Sequence, residues 1–335
     1  MLVENPRPFQ WGILGSSLIA SVCLIGAIRQ SNNGVLNAVA SRKLSRAKRL
    51  QKQYDIAKAY GSYQELIDDP EIDGIYIPLP NNLHHPWALR ALDAGKHVLC
   101  EKPLALNAIE AREMMDKAKD CGLVLMEGLM YRFQPRIKHI QKLIGTGVIG
   151  APKIVRAAFT FHALDKENFR FVPEMGGGAL LDVGGYCVSI CRLMFQSEPT
   201  EVQAFSDIGE TGVDLTTTAI LKFPEGKMGV IECSFTSSLQ QTFSVIGTSK
   251  SIELPHDAFI PWGENPYFTM RAQDEEIGSQ ISIPGYDQYR LMVEHFANVC
   301  LSKEPPDITP QFSIGNMKVL DDIAEAAGLH KLKIE

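Results

Sequence analysis

Short apolar runs alternate with amphipathic stretches along the first 127 residues of the chain. Five runs are rich in Val, Ile and Leu, as strands covered on both faces are, and they are Phe9–Leu14, Leu36–Ala40, Gly74–Ile77, Lys96–Cys100 and Leu123–Met126. The stretches with helical spacing between them are Ser45–Tyr54, His85–Ala94 and Asn107–Cys121. This alternation predicts an α/β domain with a parallel sheet and right-handed crossovers.

The second half of the chain has a different pattern, in which strands follow one another with only short turns between them. The predicted strands are Lys153–His162, Glu201–Ser206, Leu215–Phe223, Lys227–Phe235, Gln241–Gly247 and Ser251–Leu254. The helical stretches are Gly178–Phe195, Gly285–Leu301 and Ile314–Ala327. Close spacing of strands favours antiparallel pairing. We therefore expect two domains, an α/β domain over residues 1–127 and an α+β domain with an open, mostly antiparallel sheet over residues 128–335.

Composition and charge narrow the class of protein. Hydrophobic residues make up 45% and charged residues 21% of the chain, which is the balance of a folded globular enzyme. The net charge of −6 argues against nucleic acid or a membrane surface as a partner. Neither a signal-peptide pattern nor a run of about 18 apolar residues occurs, so a cytoplasmic protein is expected. The seven cysteines form no CxxC pair, and no metal site is predicted.

The first predicted strand runs into GILGSSLIA at residues 12–20. Dinucleotide-binding loops follow G-x-G-x-x-G or A, in which glycines allow a tight turn and close approach to the pyrophosphate. Gly15 and Ala20 occupy the first and third places, but Ser17 occupies the second. An ordinary strand-to-helix turn is the alternative. The position of the loop favours a Rossmann domain, with a cofactor contacted by Gly15, Ser16, Ser17, Leu18 and Ile19.

The second strand ends in Ser41 and Arg42, where an NAD-preferring site would carry an acid for the adenosine ribose. A serine and an arginine can instead bind a 2′-phosphate through charge-assisted hydrogen bonds. Ser41, Arg42 and Arg46 therefore predict NADP as cofactor, with NAD possible. Lys48 and Arg49 are interpreted as part of a solvated helix face.

Two further strand ends carry polar residues. The third strand leads into Leu79, Pro80, Asn81 and His84, and the fourth into Glu101 and Lys102. Because ligands bind at the carboxyl ends of strands in open α/β sheets, these residues are candidate cofactor contacts. Lysine is seldom buried without a partner or a function, so a Glu-Lys pair directly after a buried strand indicates a functional site. The alternative interpretation is an ordinary surface turn.

These motifs resemble the glucose–fructose oxidoreductase / inositol dehydrogenase / rhizopine-catabolism (Gfo/Idh/MocA) family. The resemblance rests on the segments above and on AVASR at 38–42, PNNLHH at 80–85, AGKHVLCEKPLA at 94–105, GVIG at 147–150 and GGGALLDVGGY at 176–186. It implies that Lys102 is the active-site lysine and that Asp182 and Tyr186 form a second catalytic pair, with Tyr186 where most members have His. It also implies a cis Lys102–Pro103 peptide, and a homodimer or homotetramer formed through the C-terminal sheet.

The chemistry of these residues agrees with the resemblance. Asp182 and Tyr186 are four residues apart on a predicted helix and so share one face. Hydride transfer depends on the cofactor, while the protein orients the substrate, stabilises oxyanion charge and moves one proton. The Lys102 ammonium can stabilise the oxyanion charge, and the Tyr186 hydroxyl can donate the proton. His162 and Arg170 precede this helix and are candidate substrate contacts, although a structural role is common for such residues.

The resulting hypothesis is an NADP-dependent oxidoreductase acting on a sugar, keto-sugar or cyclic polyol. Oxidation of a trans-dihydrodiol is an alternative that Tyr186 favours. A non-catalytic nucleotide sensor is a second alternative, which has no need of Lys102, Asp182 and Tyr186 together. An enzyme that retains NADP and recycles it between two sugars is less favoured, because only eight residues precede the first strand.

Overall fold

The computed structural model describes residues 7–163, 165–261, 263 and 265–329. The chain divides into two compact units. The first unit contains the residues up to Leu104 together with Ile109–Met130 and Asp287–Ser313. The second contains Ala105–Ala108, Tyr131–Tyr286 and the residues from Ile314 onward.

The first unit is built on a six-stranded parallel sheet with strand order β3-β2-β1-β4-β5-β6. Its strands are β1 (Phe9–Leu14), β2 (Gly34–Ala40), β3 (Lys58–Tyr60), β4 (Gly74–Ile77), β5 (His97–Cys100) and β6 (Leu125–Glu127). The predicted Rossmann sheet is confirmed, and β3 is an addition. A three-residue strand is too short to show a hydrophobic period, which is why the sequence did not predict it.

Nine α-helices occur in the described part of the chain. They are α1 (Ile25–Gln30), α2 (Leu44–Tyr54), α3 (Tyr63–Ile67), α4 (His84–Asp93), α5 (Ala108–Asp120), α6 (Pro135–Gly145), α7 (Gly185–Phe195), α8 (Gln288–Cys300) and α9 (Pro310–Ala326). Two π-helical turns, Ala20–Leu24 and Leu180–Gly184, lead directly into α1 and α7. Helices α3 and α6 were not predicted.

Helix α8 packs in the first unit. Phe296 on α8 lies 5.9 Å from Phe9 and 5.1 Å from Trp11, measured between ring centroids, and all three rings are buried. The sequence predicted that residues 128–335 form one domain, whereas α8 belongs to the first unit. The burial of three large aromatic rings together outweighs the position of α8 in the chain.

The second unit holds an eight-stranded sheet with strand order β14-β13-β12-β11-β7-β10-β9-β8. Its strands are β7 (Pro152–His162), β8 (Glu201–Ile208), β9 (Asp214–Lys222), β10 (Met228–Ser234), β11 (Thr236–Gly247), β12 (Lys250–Leu254), β13 (Tyr267–Ala272) and β14 (Ser279–Ser282). All neighbours are antiparallel except β7 and β10, which are parallel. The predicted open, mostly antiparallel sheet is confirmed. Strands β13 and β14 were not predicted.

Helix α7 packs against β7 and β10, and each of its residues is buried. The segment Pro173–Phe195 is long and apolar enough to cross a membrane, with a mean hydropathy of 1.4. However, 89% of the apolar 18-residue stretch within this segment is buried inside the protein. Such burial is what the central helix of a folded domain shows, so the segment is weak support for a membrane span.

Candidate active site

The turn after β1 has the backbone that a phosphate loop needs. Gly15 has a φ of +99°, which L-residues rarely adopt, and a Cβ there would lie 3.0 Å from the Leu79 side chain. The Ser17 hydroxyl accepts a hydrogen bond of 3.2 Å from the Ala20 N–H at the start of the helix. Ser17 therefore satisfies a helix N–H that has no intrahelical partner, which gives a physical reason for serine where the motif has its second glycine.

A cleft with a volume of about 490 Å³ opens beside this loop. Its lining residues are Gly15, Ser16, Ser17, Ser41, Arg42, Lys43, Arg46, Tyr63, Pro78, Leu79 and Pro80. Three of the described lining residues are cationic and none is acidic. The cleft brings together eight of the predicted cofactor residues from the ends of β1, β2 and β4. Such a concave, cationic space beside a helix start can hold an anionic ligand.

Sequence reasoning missed Tyr63 as a lining residue and left Lys43 unassigned. Tyr63 follows Ser62, whose hydroxyl accepts a hydrogen bond of 3.2 Å from the Glu65 N–H. The spacing of Ser62 and Glu65 matches the capping box, so a signal for α3 was present. No motif indicated that Tyr63 would line the cleft. Of the other predicted cofactor residues, Leu18, Ile19, Asn81, His84, Glu101 and Lys102 are not among those lining it.

His84 is fully buried and joins two loops. Its Nδ1 lies 2.8 Å from the Pro103 carbonyl oxygen and its Nε2 lies 2.8 Å from the Leu79 carbonyl oxygen. Burial lowers the pKa of His84 to about 4, although both carbonyls favour the proton. The imidazole thus connects the end of the β4 loop to the residue after Lys102. Its contacts are those of a residue that positions other groups.

The carboxyl end of β5 carries Glu101 and Lys102. The Tyr76 hydroxyl on the neighbouring strand β4 donates a 2.6 Å hydrogen bond to Glu101 Oε1, and the Lys102 N–H donates to Glu101 Oε2 at 3.3 Å. Burial, and after it the charge of Glu101, raises the pKa of Tyr76. The Lys102–Pro103 peptide is cis, as expected. Two hydrogen bonds therefore orient the Glu101 carboxylate beside the candidate catalytic lysine.

In the second unit, three glycines lead into the helix that carries Asp182. Gly178 has a φ of +110°, and a Cβ there would lie 2.1 Å from Asp214 Oδ1. Asp214 is buried and accepts hydrogen bonds from the Leu180 N–H at 2.7 Å and the Thr217 hydroxyl at 2.9 Å. Burial raises the pKa of Asp214, while these hydrogen bonds lower it. Gly178 is required because the capping carboxylate occupies the space of a side chain.

Arg170 fixes the same helix from outside. Its carbonyl accepts the Gly178 N–H at 2.9 Å, and its Nε donates to Asp182 Oδ2 at 2.5 Å. The Asp182 side chain is buried, and the guanidinium also lies over the rings of Phe161 and Phe169. Asp182 lies in a π-helical turn, where the sequence predicted ordinary helix. Such turns occur frequently at functional sites.

The ring of Tyr186 lies in an aromatic cluster. Its centroid is 5.4 Å from Phe159, 5.4 Å from Phe259 and 6.0 Å from Tyr131, and only 3% of Tyr186 is exposed. His162, by contrast, is exposed at the end of β7, in register with Thr236 on β11. Of the predicted substrate residues in this unit, Arg170 and Asp182 are therefore in direct contact, and Tyr186 is held by packing.

Comparison with known proteins identifies the family. Residues 9–129 match the oxidoreductase family with an NAD-binding Rossmann fold, and residues 137–253 match the GFO/IDH/MocA C-terminal domain. The chain belongs to the Gfo/Idh/MocA family, as the sequence motifs indicated. It is an NAD(P)-binding oxidoreductase.

Particular relatives act on sugars and related compounds. The chain is 34% identical to D-xylose 1-dehydrogenase (NADP(+)) 2 of Haloferax volcanii, with 95% of this chain and 97% of that protein covered. It is 38% identical to trans-1,2-dihydrobenzene-1,2-diol dehydrogenase of Bos taurus, with 75% and 76% covered. A 3-ketoreductase from Actinomadura kijaniata, solved with NADP and TDP-benzene, is 27% identical with a TM-score of 0.90, and 96% and 98% of the two chains are covered. The chain is thus similar to sugar-related oxidoreductases.

Proposed function

We propose that this protein is an NADP-preferring oxidoreductase that interconverts a hydroxyl and a carbonyl group on a sugar, keto-sugar or cyclic polyol. The cleft carries the proposal, because Arg42, Lys43 and Arg46 line it and no described lining residue is acidic. The positive charge favours binding of a 2′-phosphate, whereas the described walls of the cleft offer no acidic side chain to bind the ribose diol of NAD. The xylose dehydrogenase and 3-ketoreductase relatives support both the cofactor and the substrate class.

The residues present fit the cofactor. Gly15 has no side chain and lines the cleft together with Ser16 and Ser17, so a pyrophosphate can approach the backbone there. Ser41, Arg42 and Arg46 are assigned to the 2′-phosphate, and Leu79 and Pro80 to the adjoining wall. Bound NADP supplies or accepts the hydride. The protein provides binding, orientation and control of one proton.

The proton chemistry is assigned to Lys102 and Tyr186. We assign the Lys102 ammonium to the charge that develops on the reacting oxygen, and the Tyr186 hydroxyl to the transfer of the proton. Asp182 is assigned to the substrate hydroxyls, with Arg170 orienting its carboxylate through the 2.5 Å hydrogen bond. The Actinomadura 3-ketoreductase has been solved with a tyrosine replaced by Phe and, separately, with a lysine replaced by Ala. These substitutions support the choice of a lysine and a tyrosine as the residues to test.

A kinetic comparison of the two cofactors tests this proposal. We expect kcat/KM with NADP to exceed that with NAD, and Arg42→Ala to reduce the NADP value about 10- to 100-fold, the equivalent of one charged hydrogen bond. Lys48→Ala is the matched control, because Lys48 is a nearby cation on helix α2, which begins two residues after Arg42, and it does not line the cleft. Equal use of NAD by the unmodified protein contradicts the proposal.

Oxidation of a trans-dihydrodiol is the second candidate function. The half-buried rings of Phe161 and Phe169 lie 5.8 Å and 5.1 Å from the Arg170 guanidinium carbon, beside Asp182. An apolar wall next to a carboxylate suits a ring with two adjacent hydroxyls. A substrate screen with xylose, keto-sugars and trans-dihydrobenzenediol distinguishes the two candidates. Tight NADP binding with no turnover of any of them indicates the nucleotide sensor instead.

We also propose that the protein assembles as a homodimer or homotetramer through the eight-stranded sheet. One side of the sheet exposes apolar side chains, among them Phe205 and Ile220, which are 83% and 43% exposed on neighbouring strands. Exposed apolar surface on a sheet usually marks a partner surface, and an identical partner is the commonest one. The expected cytoplasmic location stays a prediction.

A further inference from the structure

Tyr63 is the one aromatic side chain that lines the cofactor cleft among the described residues. It is the first residue of α3 and only 7% of it is exposed. Its ring stands perpendicular to that of Trp87 at a centroid distance of 5.0 Å, and Arg90 covers Trp87 at 4.7 Å. Packing therefore holds the Tyr63 ring in one orientation.

The hydroxyl of Tyr63 faces the phosphate-binding groups. It lies 3.7 Å from the position that a Cβ on Gly15 would occupy. Arg42 and Arg46 line the same cleft as Tyr63. Burial raises the pKa of Tyr63, and the positive charges of Arg42 and Arg46 lower it. The buried hydroxyl is thus beside both the phosphate loop and the two arginines assigned to the 2′-phosphate.

Arg42 itself is exposed and follows the end of β2. A long exposed side chain samples many rotamers, and a ligand that orders it loses affinity through that entropy. A fixed acceptor such as a buried tyrosine hydroxyl restricts those rotamers before the ligand arrives. The guanidinium has five N–H donors in a planar fork, so contact with Tyr63 leaves donors free for a phosphate.

We propose that Tyr63 is a positioning residue for cofactor choice, whose hydroxyl holds the Arg42 guanidinium where the 2′-phosphate binds. This inference rests on the proposed NADP preference. It goes further in assigning part of that preference to a residue remote in sequence from the end of β2. NAD has no phosphate at that place, so its affinity does not depend on the Tyr63 hydroxyl.

Calorimetric titration of Tyr63→Phe tests the inference without any substrate. The ligands are NADP and NAD, together with adenosine 2′,5′-bisphosphate and 5′-AMP as fragments that differ in the 2′-phosphate. We expect the two 2′-phosphate ligands to bind about 3- to 10-fold more weakly, the range for one side chain that must be ordered on binding. Affinity for NAD and 5′-AMP should stay within about twofold.

Tyr60→Phe is the matched control. Tyr60 lies three residues earlier, its hydroxyl donates to Asp69 at 2.8 Å, and it does not line the cleft. Its removal should leave the ratio of NADP to NAD affinity unchanged. Melting curves of both variants confirm that each remains folded.

A double-mutant cycle with Arg42→Ala separates action through Arg42 from direct contact with the nucleotide. In that background, Tyr63→Phe should have no further effect on NADP affinity. An effect that persists there overturns the inference, and so does an unchanged NADP affinity or an equal loss for NAD. A wild-type protein without preference overturns the NADP proposal as well. A preference that Tyr63→Phe leaves unchanged overturns this inference alone.

Discussion

Replacing Tyr186 by Phe removes one oxygen atom and leaves an aromatic ring in place. Phe159, Phe259 and Tyr131 surround the ring with centroid distances of 5.4, 5.4 and 6.0 Å, and Phe retains these contacts. The free energy of unfolding should therefore change by only about 1 kcal/mol, the net contribution of one hydrogen bond. Loss of the proton donor should lower kcat roughly 10²- to 10⁴-fold.

The assay is steady-state kinetics with NADPH and a carbonyl substrate found in the screen, combined with urea denaturation and titration of NADP. Tyr131→Phe is the matched control, because it removes a second buried hydroxyl, bonded at 2.6 Å to Ser189, from the same aromatic cluster. Its kcat should stay within a few-fold of the unmodified protein. Lys102→Ala should lose activity at every pH and also weaken cofactor binding.

One result would contradict the assignment of the charge to Lys102 and of the proton to Tyr186. If Tyr186→Phe keeps kcat within a few-fold while Lys102→Ala abolishes it, Lys102 transfers the proton and Tyr186 only positions the substrate. Asp182→Asn completes the set. Its loss should fall on KM as well as kcat, because a carboxylate that binds substrate hydroxyls contributes to both.

Three further outcomes follow from the structure. Gly178→Ala should destabilise the protein by about 3 kcal/mol in urea denaturation, because the φ of +110° strains alanine and its Cβ displaces the Asp214 carboxylate; an unchanged midpoint contradicts this. Burial lowers the pKa of His84 from 6.5 to about 4. Between pH 7 and pH 5 the unfolded chain therefore binds a proton at His84 while the folded protein does not, and the free energy of unfolding should fall by about 2 kcal/mol. His84→Asn should abolish that part of the pH dependence, and an identical pH profile in the variant refutes the assignment. Light scattering should show an oligomer that Phe205→Asp weakens, whereas a monomeric wild type at micromolar concentration rules out the sheet interface.

Much of the fold could be predicted because it depends on local patterns. The five predicted strands of the Rossmann sheet were found because continuous apolar runs are required wherever a strand is covered on both faces. Strands β3 and β14 escaped because they are three and four residues long and carry polar side chains. The pairing of β7 with β10 is parallel within a mostly antiparallel sheet, and no local pattern records which strand a distant segment joins.

The sequence by itself determined the family and identified the candidate phosphate loop and the cationic end of β2, since these are runs of adjacent residues. Tertiary structure alone decided that Tyr63 lines the same cleft, that Arg170 binds Asp182, and that Asp214 caps the helix carrying Asp182. These contacts join residues separated by 12 or more positions. Their geometry depends on how strands and loops pack, and packing energy is a property of the whole arrangement, which no single segment encodes.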